Sequence, residues 1–167
     1  MINSTGKKMD NKQHNSFMQR AIELAEKGMN NGFGGPFGAV VVKDDKIVGE
    51  GYNSVIHSND PTAHAEVLAI RKACENLATF ELKDCTIYTS CEPCPMCLGA
   101  IYWARIKKVV YACTKEDAAQ ISFDDDDFYG EMAKDMEHRR IDFEELMRDK
   151  ALPLFSKWKV KPDKTNY

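Results

Sequence analysis

The sequence predicts a layered α/β sandwich. Three observations carry that reading. Apolar residues near the N-terminus recur at helical spacing, short β-branched runs alternate with helix-like segments, and the elements follow the order helix, hairpin, helix, strand, helix, strand. The chain has 167 residues, 43% of them hydrophobic and 29% charged, which suits one domain with a core of its own.

Phe17, Ala21, Leu24, Ala25 and Gly28 share one helical face, so 16–30 is predicted as an amphipathic helix. "NNGFGGP" ends it, because Pro36 cannot continue a helix and the glycines open turn conformations. "FGAVVVKDDKIVGEGYNSV" reads as a β-hairpin turning near Asp44 and Asp45. The run Val40–Val42 is apolar on both faces, which predicts a central strand. Asp60 or Thr62 is the expected N-cap of a helix running to about Asn76. "CTIYTS" is a short strand, and "PCPMCLGAIYWAR" is a buried helix entered through prolines, which the first turn tolerates. "KKVVYAC" is the next strand. The acidic segment "SFDDDDFYGE", short helices and a lysine-rich tail complete the chain. No internal repeat or linker divides it. The expected organisation is a flexible leader over 1–14 and a single domain over 15–167, with a C-terminal tail.

The net charge is −3, so no overall basic field draws the chain to nucleic acid. No apolar run has the length of a bilayer span, and "MINSTGKKMDNKQHN" lacks the apolar stretch of a signal peptide. Six cysteines without an export signal suggest a reducing, cytoplasmic setting, where clustered cysteines serve metals or redox chemistry more often than disulfides.

The densest chemistry lies in "SCEPCPMC", with Cys91, Cys94 and Cys97 at intervals of three. A ferredoxin-type cluster wants a further cysteine where Ile101 stands. A structural zinc site usually takes two Cys pairs, and no second CxxC stands apart from this segment. Cys94 and Cys97 could form a redox pair. Upstream, however, "HAE" offers His64 and Glu66. One histidine and two cysteines make a three-ligand zinc set that leaves a fourth position for water, the pattern of catalytic sites. Cys94 and Cys97 share a face in the first turn of a helix, whose partial positive charge favours thiolates. His64 and Glu66 lie at the start of another helix, where side chains lean past its end. Two helix N-termini would thus meet at one metal. Cys91 is expected as a buried inert thiol in the wall, and Cys74, Cys85 and Cys113 as core residues. Trp103 is assigned to the core or to a subunit interface.

With these residues in hand, the chain resembles the zinc-dependent cytidine deaminase superfamily from about Phe17 to its C-terminus. "GGPFGAVVV", "GEGYN", "NDPTAHAE", "TSCEPCPMCLGAIYWAR" and "FDDDDFY" look most like the bacterial guanine deaminases within it. The resemblance implies a three-layer α/β/α sandwich with a central mixed sheet. It implies one Zn²⁺ per chain with a catalytic water, ligands His64, Cys94 and Cys97, and Glu66 as proton shuttle. It implies a small-molecule purine base as substrate, deaminated from guanine to xanthine and ammonia, and a homodimer whose C-terminal segments can be exchanged.

Zinc lowers the pKa of water to about 7, and Glu66 would carry protons from it to the ring and the leaving amine. Guanine presents two adjacent donors, N1–H and the 2-amino group, which a carboxylate accepts and an amide does not match. That gives the acidic run 124–127 a role, with Asp125 as the pocket member by resemblance; the competing reading is a solvated loop. Asn53 resembles the family's base-binding asparagine, against a turn role of its own. Phe37 is expected to stack on the base or to fill the core. Tyr167, with Trp158 anchoring the tail, is expected over an active site, its own or a partner's, against a solvated tail. The rival within the superfamily is tRNA adenosine deaminase, which shares "DPTAHAE" and "EPCxMC"; the acidic balance and "FDDDDFY" weigh against it, and four lysines in the tail weigh for it. A nucleoside such as guanosine is a further alternative substrate. Outside catalysis, the alternative is a zinc-stabilised binding module, which has no use for Glu66.

Overall fold

The computed structural model of the chain describes residues 11–123 and 125–167. Helix α1 spans Asn11–Asn30 and buries Phe17, Ala21, Leu24, Ala25 and Gly28, the five positions whose spacing predicts it. It starts earlier than residue 16, and His14 Nδ1 there meets the Tyr88 hydroxyl at 2.7 Å. Of the leader expected over 1–14, residues 11–14 are therefore helical, and residues 1–10 lie outside the described residues.

Strands β1 (Gly38–Lys43) and β2 (Lys46–Tyr52) form the hairpin. Its two turn residues, Asp44 and Asp45, have φ of 48° and 61°, the left-handed pair a two-residue turn needs. The register slips between Val41 and Val42, so Val48 has no counterpart in β1. A short helix α2 (Val55–Ser58) and the long α3 (Ala65–Leu77) follow. Strand β3 (Thr86–Cys91) pairs antiparallel with β1 and parallel with β4 (Lys108–Cys113), and helix α4 (Pro95–Trp103) makes the crossover. The sheet order β2-β1-β3-β4 is mixed and places β1 in the interior, as the Val40–Val42 run requires.

Two apolar clusters make the three layers. Phe17 and Leu24 of α1 pack on Val40, Val42 and Tyr88 on one face of the sheet. Ala65, Ala69, Ile70, Ala73 and Ile101 of α3 and α4 pack on Ala39, Val41 and Ile87 on the other. Glycines set the spacing of that second layer. A Cβ on Gly51 would lie 2.2 Å from the Ala65 carbonyl oxygen, and one on Gly49 2.2 Å from that of Ala69. Helix α3 therefore rests directly on the backbone of β2, and its N-terminus is held at the end of the sheet.

Neither Asp60 nor Thr62 caps α3. The Asp60 carboxylate accepts from the Thr62 amide at 2.8 Å and from its hydroxyl at 2.7 Å, closing a local turn, and the helix begins later with His64 at its N-cap. Cys85 is buried as expected and Cys74 is half-buried. Cys113 is exposed, because it ends β4, an edge strand that loses cover toward its C-terminus. Trp103 is 64% exposed at the end of α4, so it is not a core residue.

After the sheet come α5 (Lys115–Gln120), started by a Thr114–Asp117 capping box, α6 (Asp125–Ala133), a single 3₁₀ turn (Met136–His138) and α7 (Arg148–Val160). Neither α6 nor α7 buries a residue. Among the described residues no helix is long and apolar enough to cross a membrane.

The α3–β2 contact makes a prediction for stability. Gly51→Ala drives a methyl against a helix carbonyl that cannot retreat, so it should destabilise by about 3 kcal/mol and lower the melting temperature by roughly 6–12 °C. Gly130→Ala, in α6 where a Cβ meets nothing within 4 Å, should leave melting unchanged or slightly raised. Thermal unfolding of the two variants decides, and equal effects would refute the contact.

Candidate active site

The N-caps of α3 and α4 are His64 and Cys94, and neither side chain makes the usual capping hydrogen bond. An N-cap side chain ordinarily accepts from an amide of the first turn. Here both turn toward each other instead. Cys97 follows Pro95 in the first turn of α4 and is fully buried. His64 Nδ1 lies 3.5 Å from the sulfurs of both Cys94 and Cys97. The ligand atoms of His64, Cys94 and Cys97 all fall within 4.8 Å of one another.

Those distances test the fit of a metal. A tetrahedron with ordinary Zn–N and Zn–S bonds has an N···S edge of about 3.5 Å. The observed separations match it without rearrangement. One imidazole and two thiols are also the borderline-soft donor set that zinc prefers. The three residues therefore fit zinc, and the set leaves one corner open.

Glu66 stands beside this set in the first turn of α3 and is 5% exposed. Its Oε1 accepts from the Thr89 hydroxyl at 3.0 Å, and its Oε2 from the Cys97 thiol at 3.3 Å. Desolvation raises its pKa, against the lowering pull of these bonds. The two thiols lie on opposite sides of their ordinary pKa. Cys94 is lowered to about 4, first by the hydrogen bond from Cys97 and then by that from His64. Cys97, the donor of that bond and deeply desolvated, is raised. The bond to Cys94 raises His64 in turn. Cys91 does not join them. Its thiol donates to the Thr114 carbonyl at 3.3 Å, and burial pushes it up to about 12.

A small cleft opens onto the metal set, lined by Phe37, Asn53, His64, Glu66, Glu92, Cys94, Phe123 and Asp125. Seven of the eight residues that sequence reasoning selects thus lie at one place: six line the cleft, and Cys97 lies behind it. Asn53 is 4% exposed and packs so close to Gly34 that a Cβ there would meet its Oδ1 at 1.9 Å. It also serves its turn, since Oδ1 accepts from the Val55 amide at 3.3 Å. Phe37 meets Phe123 edge-to-face at 4.7 Å, so its ring is fixed in the cleft wall. Of the acidic run, Asp125 lines the cleft and Asp124 lies outside the described residues. Asp126 pairs with Lys115 and Asp127 with Arg140.

Tyr167 is not brought to this cleft. Its ring lies 6.0 Å from Trp103 and 6.4 Å from Phe80. Trp103 ends α4, and the cleft lies at the start of that helix, about 13 Å away along its axis. Three contributors escaped sequence reasoning. Glu92 and Phe123 were legible only as part of "SCEPC" and "FDDDDFY", and Thr89, which orients Glu66, is an ordinary strand residue with no signal of its own.

Comparisons with known proteins give the chain its relatives. Residues 11–113 match the cytidine and deoxycytidylate deaminase zinc-binding region. The chain is 54% identical over 154 residues to a guanine deaminase of Bacillus subtilis (strain 168), covering 92% of this chain and 99% of that one. It superposes on an X-ray structure of guanine deaminase from Bacillus subtilis with a TM-score of 0.89 at 53% identity, covering 95% of this chain and 99% of the other. A tRNA-specific adenosine deaminase of Buchnera aphidicola is 39% identical over 115 residues, 69% of this chain and 76% of that relative.

The orientation of Cys91 carries a prediction. Cys91→Ser should retain about one zinc per chain, whereas Cys94→Ser, Cys97→Ser and His64→Ala should each lose most of it. Elemental analysis of the four purified variants decides. Loss of zinc in Cys91→Ser would sink the three-residue set.

Proposed function

The chain belongs to the cytidine and deoxycytidylate deaminase zinc-binding family, and we propose from that premise that it hydrolyses guanine to xanthine and ammonia. The observation that carries the choice of base is the cleft itself. One buried carboxylate, Glu66, stands at the metal set, and a second, Asp125, stands in the same cleft with the amide of Asn53. The likeness to the guanine deaminase of Bacillus subtilis over nearly the whole chain supports the same base.

His64, Cys94 and Cys97 hold the zinc in this reading. When bound, zinc supplies the Lewis acidity that makes hydroxide available near neutral pH. The chain's own residues do the rest. Asp125 accepts from the paired donors of guanine, N1–H and the 2-amino group, an edge that adenine lacks. Asn53 offers both a donor and an acceptor to the remaining edge of the purine. Phe37 closes one face of the cleft, braced by Phe123, and limits the base to a plane. Glu66 would take the proton released by the attacking water and deliver it to N3, then carry a second proton, from the hydroxyl newly bonded to C2, to the amine, which leaves as ammonia while the C2 carbonyl forms. Thr89 holds the carboxylate in place for both transfers.

The protein works as a homodimer in this reading, with C-terminal segments exchanged. Helix α7 buries nothing in its own chain and exposes Leu154, Phe155 and Trp158, while Tyr102 and Trp103 of α4 are exposed as well. The tail then places Tyr167 over a partner's cleft, where it closes the site against water. A role in purine catabolism or salvage follows from the reaction. Six free thiols suit a reducing cytoplasm.

Ammonia release from guanine, guanosine, adenine, adenosine, cytosine and a tRNA anticodon stem-loop tests the substrate. Guanine should be the preferred substrate, and turnover of the stem-loop without guanine would overturn the proposal in favour of tRNA adenosine deamination. No turnover of anything by the zinc-loaded protein would leave the binding module. Glu66→Gln should keep its zinc and lose activity by about 10⁴-fold or more, because the amide cannot carry the proton; near-normal turnover would exclude the shuttle. Deletion of residues 159–167 should leave zinc and melting intact and sharply reduce guanine turnover. Unchanged kinetics would return the tail to solvent.

A further inference from the structure

Helix α6 begins at Asp125 and places that residue in the cleft, yet it buries none of its side chains. With no residue of α6 fully buried, polar ties contribute to its orientation. Tyr129 lies four residues after Asp125, on the same helix face. Its hydroxyl donates to the Pro93 carbonyl at 2.9 Å. Pro93 is buried and immediately precedes Cys94, so this bond joins α6 to the loop that carries a metal-binding residue. Burial raises the Tyr129 pKa, which keeps its hydroxyl a donor. Lys115 braces the same helix. Its ammonium pairs with Asp126 at 2.7 Å and lies 5.4 Å from the centre of the Tyr129 ring. The Lys115 amide donates to Glu92, another lining residue, at 3.3 Å. On the opposite face Asp127 and Glu131 pair with Arg140 and do not line the cleft.

We propose that Tyr129, braced by Lys115, is a positioning residue for base recognition: its bond to the Pro93 carbonyl sets Asp125 at a fixed distance from the metal-binding residues. The inference rests on the reading of Asp125 as a guanine contact. It separates two tasks on one helix, with Asp125 touching the base and Tyr129 fixing where Asp125 stands. A base docked against Asp125 then meets Glu66 in register, because Pro93 leads directly into α4, whose Cys97 bonds the Glu66 carboxylate.

Tyr129→Phe removes the hydroxyl and keeps the ring. It should raise KM for guanine about tenfold, change kcat by less than about threefold, and leave zinc content unaltered. A double-mutant cycle supplies the readout that a merely structural role would not move. In an Asp125→Ala background, Tyr129→Phe should have almost no further effect on KM, since there is no carboxylate left to place. Lys115→Met, at a surface position, should raise KM in the same direction by a smaller factor, and it keeps the test open should Tyr129→Phe fold poorly. Unchanged KM in either variant, loss of zinc from Tyr129→Phe, or the same tenfold loss in the Asp125→Ala background would overturn the proposal. Asp125→Ala alone tests the underlying reading: if it leaves guanine KM unchanged, the base contact itself fails and the positioning role falls with it.

Discussion

Everything in this molecule is arranged around two helix N-termini that give up their own caps. His64 and Cys94 occupy positions where a side chain normally stabilises its helix by about 1 kcal/mol, and neither does so. They face one another, with Cys97 completing the set from the first turn of α4. The two helix ends bring partial positive charge to a place where two sulfurs and a carboxylate must be accommodated. The layers exist to hold that meeting in place. Gly49 and Gly51 let α3 sit on the backbone of β2. The parallel β3–α4–β4 unit delivers α4 to the same face of the sheet.

Electrostatics explains why such a site suits a cation. Glu66, Cys94 and Cys97 are three acids in one nearly water-free cluster. Burial opposes the ionisation of Glu66 and of Cys97, whose thiol donates to the Glu66 carboxylate. A divalent ion at the corner shared by the sulfurs and the imidazole relieves the repulsion of both thiolates at once. Glu66 lies beside that corner rather than in the set, held by Thr89 from the sheet.

Much of this was legible in the sequence, and the illegible parts share a cause. The buried face of α1, the hairpin turn at Asp44–Asp45 and the central position of Val40–Val42 follow from periodicity and turn chemistry, which are local. The metal set was legible because its residue types are rare and its spacing restrictive. The start of α3 was misplaced because Asp60 had two local uses, and a turn on Thr62 won. The apolar neighbours of Cys113 suggest a core residue, but edge position is a property of the sheet, not of the segment. Thr89 and Tyr129 act through partners 23 and 36 residues away, and no local pattern marks such bonds. The tail shows the same limit: Tyr167 meets Phe80 and Trp103 in its own chain, while its expected use concerns a cleft at the far end of α4.

X-ray absorption at the zinc edge of the loaded protein tests the central claim most directly, because it counts the atoms around the metal without altering the chain. Two helix ends meeting through His64, Cys94 and Cys97 require two sulfurs and two lighter atoms, one of them an imidazole nitrogen with its outer-ring scattering. A third sulfur would bring Cys91 into the set and contradict the account. So would a site with no imidazole signature.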